Sequence, residues 1–171
     1  MFGLVLMACE SEDPVNPTQP TVNPGQPPGP QQYFATVSWV NSGGTHEGPS
    51  QAIPLVERQF RGSGTSNLLS DVTMESAHTE IYRGFDSFDI ENGQITLIGE
   101  YGDRIYGIYS GSGSRTYGHA ELNHTCTVQG GTGIFSKATG SLTIEVTRIK
   151  QAAPSLNMSA IIYGIIYLND E

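Results

Sequence analysis

The sequence predicts an all-β chain, an antiparallel eight-stranded barrel, with a β-sandwich as the alternative. Three observations carry this. Apolar residues recur with period two rather than 3.6, as where Leu142, Ile144 and Val146 alternate with Thr143, Glu145 and Thr147. Glycine-rich turn residues separate such runs at hairpin spacing. Gly99, Gly107 and Gly164 fall inside runs, where glycine weakens a strand unless it allows a bend or close packing; barrel closure needs such bends, which favours the barrel over the sandwich.

The chain opens on a short apolar run, Phe2 to Ala8, far below the roughly 20 residues needed to span a bilayer. The run closes on Leu6-Met7-Ala8-Cys9, a small residue before a cysteine, and a polar, proline-rich stretch follows at once. This resembles the lipobox of bacterial lipoproteins, in which the cysteine is diacylated and becomes the first residue of the mature chain. The resemblance implies that residues 1–8 are a signal-peptide remnant and that Cys9 is the lipidation site. The protein would then be extracytoplasmic, lipid-anchored to the bacterial outer membrane or cell surface. Cys9-Glu10-Ser11-Glu12-Asp13 also resembles the acidic surface-export signals of some Gram-negative lipoproteins.

Residues 9–32 read as a disordered spacer. Pro14, Pro17, Pro20, Pro24, Pro27, Pro28 and Pro30 favour extended, polyproline-like chain that buries nothing and acts as a semi-rigid linker. Residues 33–171 suffice for one domain. Strands are expected at 33–40, 54–62, 66–75, 84–90, 94–101, 104–111, 117–128, 140–149 and 156–168. Glu91-Asn92-Gly93 reads as the hairpin turn between the fourth and fifth, and Gly102-Asp103 as the turn after Tyr101. In the run Ala120, Leu122, His124, Cys126, Val128 the alternation puts all five on one face. The last strand differs: from Met158 to Leu168 both faces are apolar, as in a strand covered on both sides. Its cover would be the chain's own loops, a second copy, or an envelope protein partner docking through residues 158–168.

The segment Gly130-Gly131-Thr132-Gly133-Ile134-Phe135-Ser136-Lys137-Ala138-Thr139-Gly140 resembles the Gly-Gly-x-Gly-x-Phe-x-x-Ala-x-Gly segment of dirigent proteins and allene oxide cyclase-like β-barrels. Glu100 to Gly107 also looks like the Gly-Asp hairpin of bacterial secreted members. Gly130, Gly131, Gly133, Phe135 and Gly140 read as a structural motif, a tight loop and short helical turn in which Phe135 plugs one barrel end. A phosphate loop is excluded because no Lys-Ser/Thr ending or long helix follows. The resemblance implies an eight-stranded barrel, often trimeric in plant relatives, with a mostly apolar lumen. The catalytic residues of the plant relatives have no counterparts here.

His124 is the candidate acid or base, since its strand parity points it into the lumen. Cys126, two residues on and roughly 7 Å away by strand rise, is too far for a Cys-His nucleophile pair. A buried histidine bonded to a backbone carbonyl or tyrosine is the bland alternative. Ligand-binding candidates are Tyr101, Tyr109, His124 and Cys126. Tyr106, Tyr117, Tyr163, Tyr167 and Trp39 are further rings for a stacking platform, against the plainer role of aromatic residues in filling sheets. No metal site is expected. His119 and His124 fall on opposite faces, His46 and His78 read as solvated polar residues, and Asp86, Asp89, Glu91 and Asn92 read as ordinary turn chemistry.

Eight Lys and Arg against 17 Asp and Glu give a net charge of −9, so the chain has no basic footprint for nucleic acid. No cofactor is implied. The expectation is a non-enzymatic, membrane-anchored barrel that binds a small apolar ligand or docks on an envelope partner. The alternatives are an isomerase or cyclase working in the lumen through His124, and a structural subunit of an envelope complex, as homo-oligomer or otherwise.

Overall fold

The structure, a computed structural model, describes residues 29–43, 46–47, 55–84, 86–116, 119–148 and 157–169. Cys9, residues 1–28 and Tyr117 lie outside the described residues, as do the side chains of His46, Glu47 and His119.

The fold is a closed antiparallel barrel of eight strands with one extra two-residue strand. The strands are β1 (Pro30–Gly43), β2 (His46–Glu47), β3 (Leu55–Ser66), β4 (Ser70–Tyr82), β5 (Ser87–Gly99), β6 (Arg104–Thr116), β7 (His119–Gly131), β8 (Thr139–Arg148) and β9 (Asn157–Tyr167). From β3 to β9 each strand pairs with the next, and β1 closes the ring by pairing with both β9 and β3. Ala35, for example, sits between Ser66 on one side and Ile162 on the other. The extra strand β2 pairs with the start of β3. Closure leaves the barrel strands without the unpaired edges that open sheets must protect.

Alternation in the sequence becomes an inside and an outside. In β8, Leu142, Ile144 and Val146 are buried, and Glu145 and Thr147 are exposed. Inward residues of all eight strands form one continuous core from Tyr33 and Phe135 to Trp39 and Phe88.

Short turns gather at one barrel end, and large side chains fill it. Asn67 ties the β3–β4 turn to β1, accepting from Phe34 N (2.9 Å) and donating to Gln32 O (2.7 Å). Leu69 of that turn is buried, as are Phe135 and Ala138 from the β7–β8 connection. Phe135 ends a single 3-10 turn, Gly133–Phe135. The loop feeding it needs left-handed backbone at Gly130 (φ 122°) and Gly133 (φ 56°), which glycine adopts without steric cost.

Four expectations need correction. Glu91-Asn92-Gly93 is not a hairpin turn. One strand, β5 (Ser87–Gly99), runs through both expected strands, and its register against β6 slips between Ile90 and Gly93. Asn92 takes φ 54°, so the residues that favour a tight turn here absorb a bulge instead. Residues 66–75 are not one strand: Asn67–Leu69 form a turn, and β4 runs on to Tyr82. The first strand begins at Pro30 rather than at 33, with the proline at the strand's first position, where its missing N–H is tolerated. Finally, β9 is not buried on both faces within the chain. Ala160, Ile162 and Ile166 are fully buried, whereas Ile161, Tyr163, Ile165 and Tyr167 are 39–45% exposed.

Candidate functional site

Away from the plugged end, the lumen changes character. Five strands turn rings into it: Trp39 from β1, Phe60 from β3, His78 from β4, Tyr109 from β6 and His124 from β7. Their centroids lie 5.0 Å apart for Tyr109 and His124, 6.0 Å for His78 and His124, and 5.1 Å for Phe60 and His78. The indole of Trp39 stacks on His124 at 6.5 Å with 18° between the planes.

Glycine makes room for this cluster. At Gly93 in the β5 bulge, a Cβ would come within 2.5 Å of the Tyr109 ring, so the bulge and the tyrosine's position depend on each other.

Beside the rings runs a line of polar groups. His78 Nδ1 and the Tyr109 hydroxyl are 2.8 Å apart, and His78 Nε2 lies 3.8 Å from Glu80 Oε1. The other carboxylate oxygen of Glu80 accepts from Arg58 Nε (3.1 Å) and from the Tyr82 hydroxyl (2.9 Å). Burial of Tyr109 raises its pKa and keeps the phenol protonated. The phenol and Nδ1 share one hydrogen bond, and Nε2 is the nitrogen that faces the carboxylate. Glu80 is 2% exposed, a depth at which a carboxylate needs a partner, and Arg58 supplies the opposite charge.

His124 lacks such support. It is 1% exposed, and among the described residues neither ring nitrogen has a hydrogen-bond partner; the same holds for Trp39 Nε1. Burial, and secondarily the neighbouring His78, push its pKa down to about 3. At neutral pH it is therefore an uncharged imidazole with one donor and one acceptor, both desolvated. Leaving buried polar atoms unpaired costs free energy, so these atoms are the place in the described lumen where a further hydrogen-bonding group would be stabilising.

Of the expected binding residues, the fold brings Tyr109, His124 and Cys126 into the lumen and leaves Tyr101 out, 49% exposed in the β5–β6 turn. Tyr106, Tyr163 and Tyr167 also face outward, so the described inward part of the expected platform is Trp39 and Tyr109. Cys126 is fully buried and its thiol is pushed up to about 12 by burial, which leaves it protonated and without nucleophilic character. His78 is not a solvated residue. It is 3% exposed and central to the cluster, and with Glu80 it belongs to the site that sequence reasoning missed. The available signal was parity: His78 and Glu80 continue the inward register of Val72, Met74 and Ser76. Asp89, Glu91 and Asn92, expected in a turn, lie within β5, where Asp89 accepts from Arg83 Nε at 2.6 Å. Among the described residues no group of three or more His, Cys, Asp or Glu is arranged to hold a metal ion.

Fold and site together define a closed antiparallel barrel whose lumen is apolar at one end and carries a histidine–tyrosine–carboxylate cluster towards the other. Comparison with protein-family models, curated proteins and solved structures finds no match for the chain.

Proposed function

We propose that this chain is an exported lipoprotein, anchored through Cys9, whose barrel binds a small, uncharged, mostly apolar ligand beside His124. The observation that carries the ligand reading is a buried His124, packed against Trp39 and Tyr109, whose two ring nitrogens have no hydrogen-bond partner among the described residues. Such a wall favours a flat apolar body, and a neutral imidazole offers one donor and one acceptor to orient it. A charged ligand is disfavoured because Arg58 and Glu80 already compensate each other. The anchor rests on the lipobox resemblance, and the likeness of Gly130–Gly140 to dirigent and allene oxide cyclase-like barrels accords with a ligand in the lumen. Non-enzymatic binding fits His124 better than general-base catalysis does, since a group with a pKa of about 3 is a poor base at neutral pH.

The test is native mass spectrometry of the protein extracted from its own membrane. The expected spectrum carries an acyl mass on the chain and a small-molecule adduct, and His124→Phe loses the adduct but keeps the acyl mass. A wild-type chain without acyl mass contradicts the anchor, and one without adduct contradicts the ligand.

One observation favours a lumen enzyme by a different route. Tyr109 and His78 share a hydrogen bond at 2.8 Å, an arrangement in which the imidazole exchanges a proton with the phenol, and Glu80 lies 3.8 Å from Nε2, beyond hydrogen-bond reach. On that reading Tyr109→Phe retains the adduct but no longer converts the molecule identified in it. Equal recovery of unchanged ligand from wild type and variant speaks for binding alone.

A further inference from the structure

The outer face of the barrel carries scattered apolar residues, such as Tyr106 and Ile108 on β6, and one strand that is apolar over most of its length. On β9, Ile161, Tyr163, Ile165 and Tyr167 point outward at alternate positions, and Phe34 of β1 sits opposite Tyr163 in the register. All five are 39–50% exposed. At about 200 Å² for a large side chain this amounts to roughly 450 Å² of exposed surface on neighbouring residues of β9 and β1, within the range of the largest patch on a monomer, which is often functional.

We infer that this stripe is a dimer interface, in which β9 packs face to face on β9 of a second copy across a twofold axis. Three features of the stripe select a second copy over another occupant.

The first is its order. Isoleucine and tyrosine alternate about Gly164, so a twofold axis there sets Ile161 against the partner's Tyr167 and Tyr163 against the partner's Ile165. Every aliphatic side chain then meets an aromatic one, and the patch is complementary to itself, as an isologous interface requires.

The second is charge. Copies of a chain with net charge −9 repel each other, and of the exposed carboxylates described on its strands Glu57, Asp71, Glu75, Glu91 and Glu121 sit on β3, β4, β5 and β7, leaving Glu145 of β8 as the one next to the stripe. Glu145 Oε1 accepts from the Tyr163 hydroxyl at 2.7 Å. Two like-charged barrels therefore approach each other best on this side.

The third is area. Two stripes facing each other remove roughly 900 Å² from water, and the flanking Thr36, Ser38 and Thr143 bring the total to about the 1,000 Å² that a specific interface must clear. Those flanks supply the polar rim that excludes water from the centre. Because the barrel is closed, association runs through side chains on a face and not through strand addition at an edge.

The experiment is sedimentation equilibrium of the full chain carrying Cys9→Ser, so that no acyl group drives association. A dimer is expected at about 100 µM, above the micromolar Kd of a minimal interface. Ile165→Glu and Tyr163→Lys each weaken it by roughly 30-fold or more, the effect of a central interface residue. Mixing these two variants restores a dimer, because the twofold axis places the new lysine against the partner's new glutamate. Thr125→Glu, on the outer face of β7, leaves the dimer unchanged. Unaltered thermal midpoints verify that the variants fold, and Ile161→Lys replaces either one that does not. A wild-type chain that stays monomeric overturns the inference, as does a dimer indifferent to Ile165→Glu. A monomer that floats with phosphatidylcholine vesicles through Tyr163 and Ile165 also overturns it and gives the stripe to a lipid surface.

Discussion

The two ends of the lumen solve the problem of filling a barrel in opposite ways. At the turn end, Leu69, Phe135 and Ala138 seal the interior with apolar side chains. Towards the opposite end, rings are interleaved with a buried carboxylate and two histidines, and among the described residues both nitrogens of His124 and Nε2 of His78 have no hydrogen-bond partner. Apolar filling stabilises by removing surface from water, whereas buried polar groups return stability only if every one is paired. The first end therefore holds the barrel shut by apolar packing, and the second places buried polar groups where packing alone would be more stabilising. Perturbing each end should produce effects of different kind, not only of different size.

The largest expected effect is at the sealed end. Phe135→Ala should cost about 4 kcal/mol of folding stability, the usual loss for truncating a buried phenylalanine, and should do so equally at pH 7.5 and pH 4.5. Urea unfolding at the two pH values reads both quantities.

Next comes the charged pair of the polar end. Arg58→Met strands Glu80 without its cation and should cost about 3 kcal/mol at pH 7.5, a loss that Glu80→Gln in the same chain recovers in large part. A double-mutant cycle by chemical denaturation checks it. If the double variant is no more stable than Arg58→Met alone, Glu80 does not depend on Arg58.

The third prediction concerns pH. His124 has an ordinary pKa of 6.5 when unfolded and about 3 when folded, so between these values the unfolded chain binds the extra proton. Its contribution is fully present above about pH 6.5 and is lost as the pH falls towards 3, by about 2–3 kcal/mol at pH 4.5. His124→Phe should remove that part of the acid sensitivity, so the variant's stability relative to wild type should rise by that amount from pH 7.5 to pH 4.5. A constant gap contradicts a neutral, desolvated histidine.

The smallest effect is chemical. Cys126 should resist iodoacetamide at pH 8 in the native protein and react on unfolding, because burial both covers the thiol and keeps it protonated. Fast alkylation of the native protein would show that the lumen opens near Cys126.

The same contrast explains what was legible in the chain. The barrel followed from strict alternation wherever inward residues are apolar, as in β7 and β8, and His124 was placed in the lumen by parity with Leu122 and Cys126. The motif at Gly130–Gly140 pointed to a tight loop with Phe135 inside, which is where that ring lies. His78 and Glu80 escaped because Ser76, His78 and Glu80 are polar, so the inward face of β4 loses its apolar signature where the site begins. Parity persists in backbone geometry after it fades from hydropathy. Asn92-Gly93 misled for a related reason: left-handed φ serves a hairpin turn and a bulge alike, and only pairing with a neighbouring strand separates them. For the tyrosines, type told nothing about face. The same residue fills the lumen at Tyr109 and makes the outer stripe at Tyr163 and Tyr167.

The central claim is that the polar end is completed by a molecule that is not part of the chain. The most direct measurement is a high-resolution crystal structure of the protein purified from its own membrane. The predicted result is an ordered non-protein molecule stacked against Trp39 and Tyr109, with a polar atom at hydrogen-bond distance from a ring nitrogen of His124. A His124 whose nitrogens are bonded to the chain's own groups, or to water alone, would contradict it.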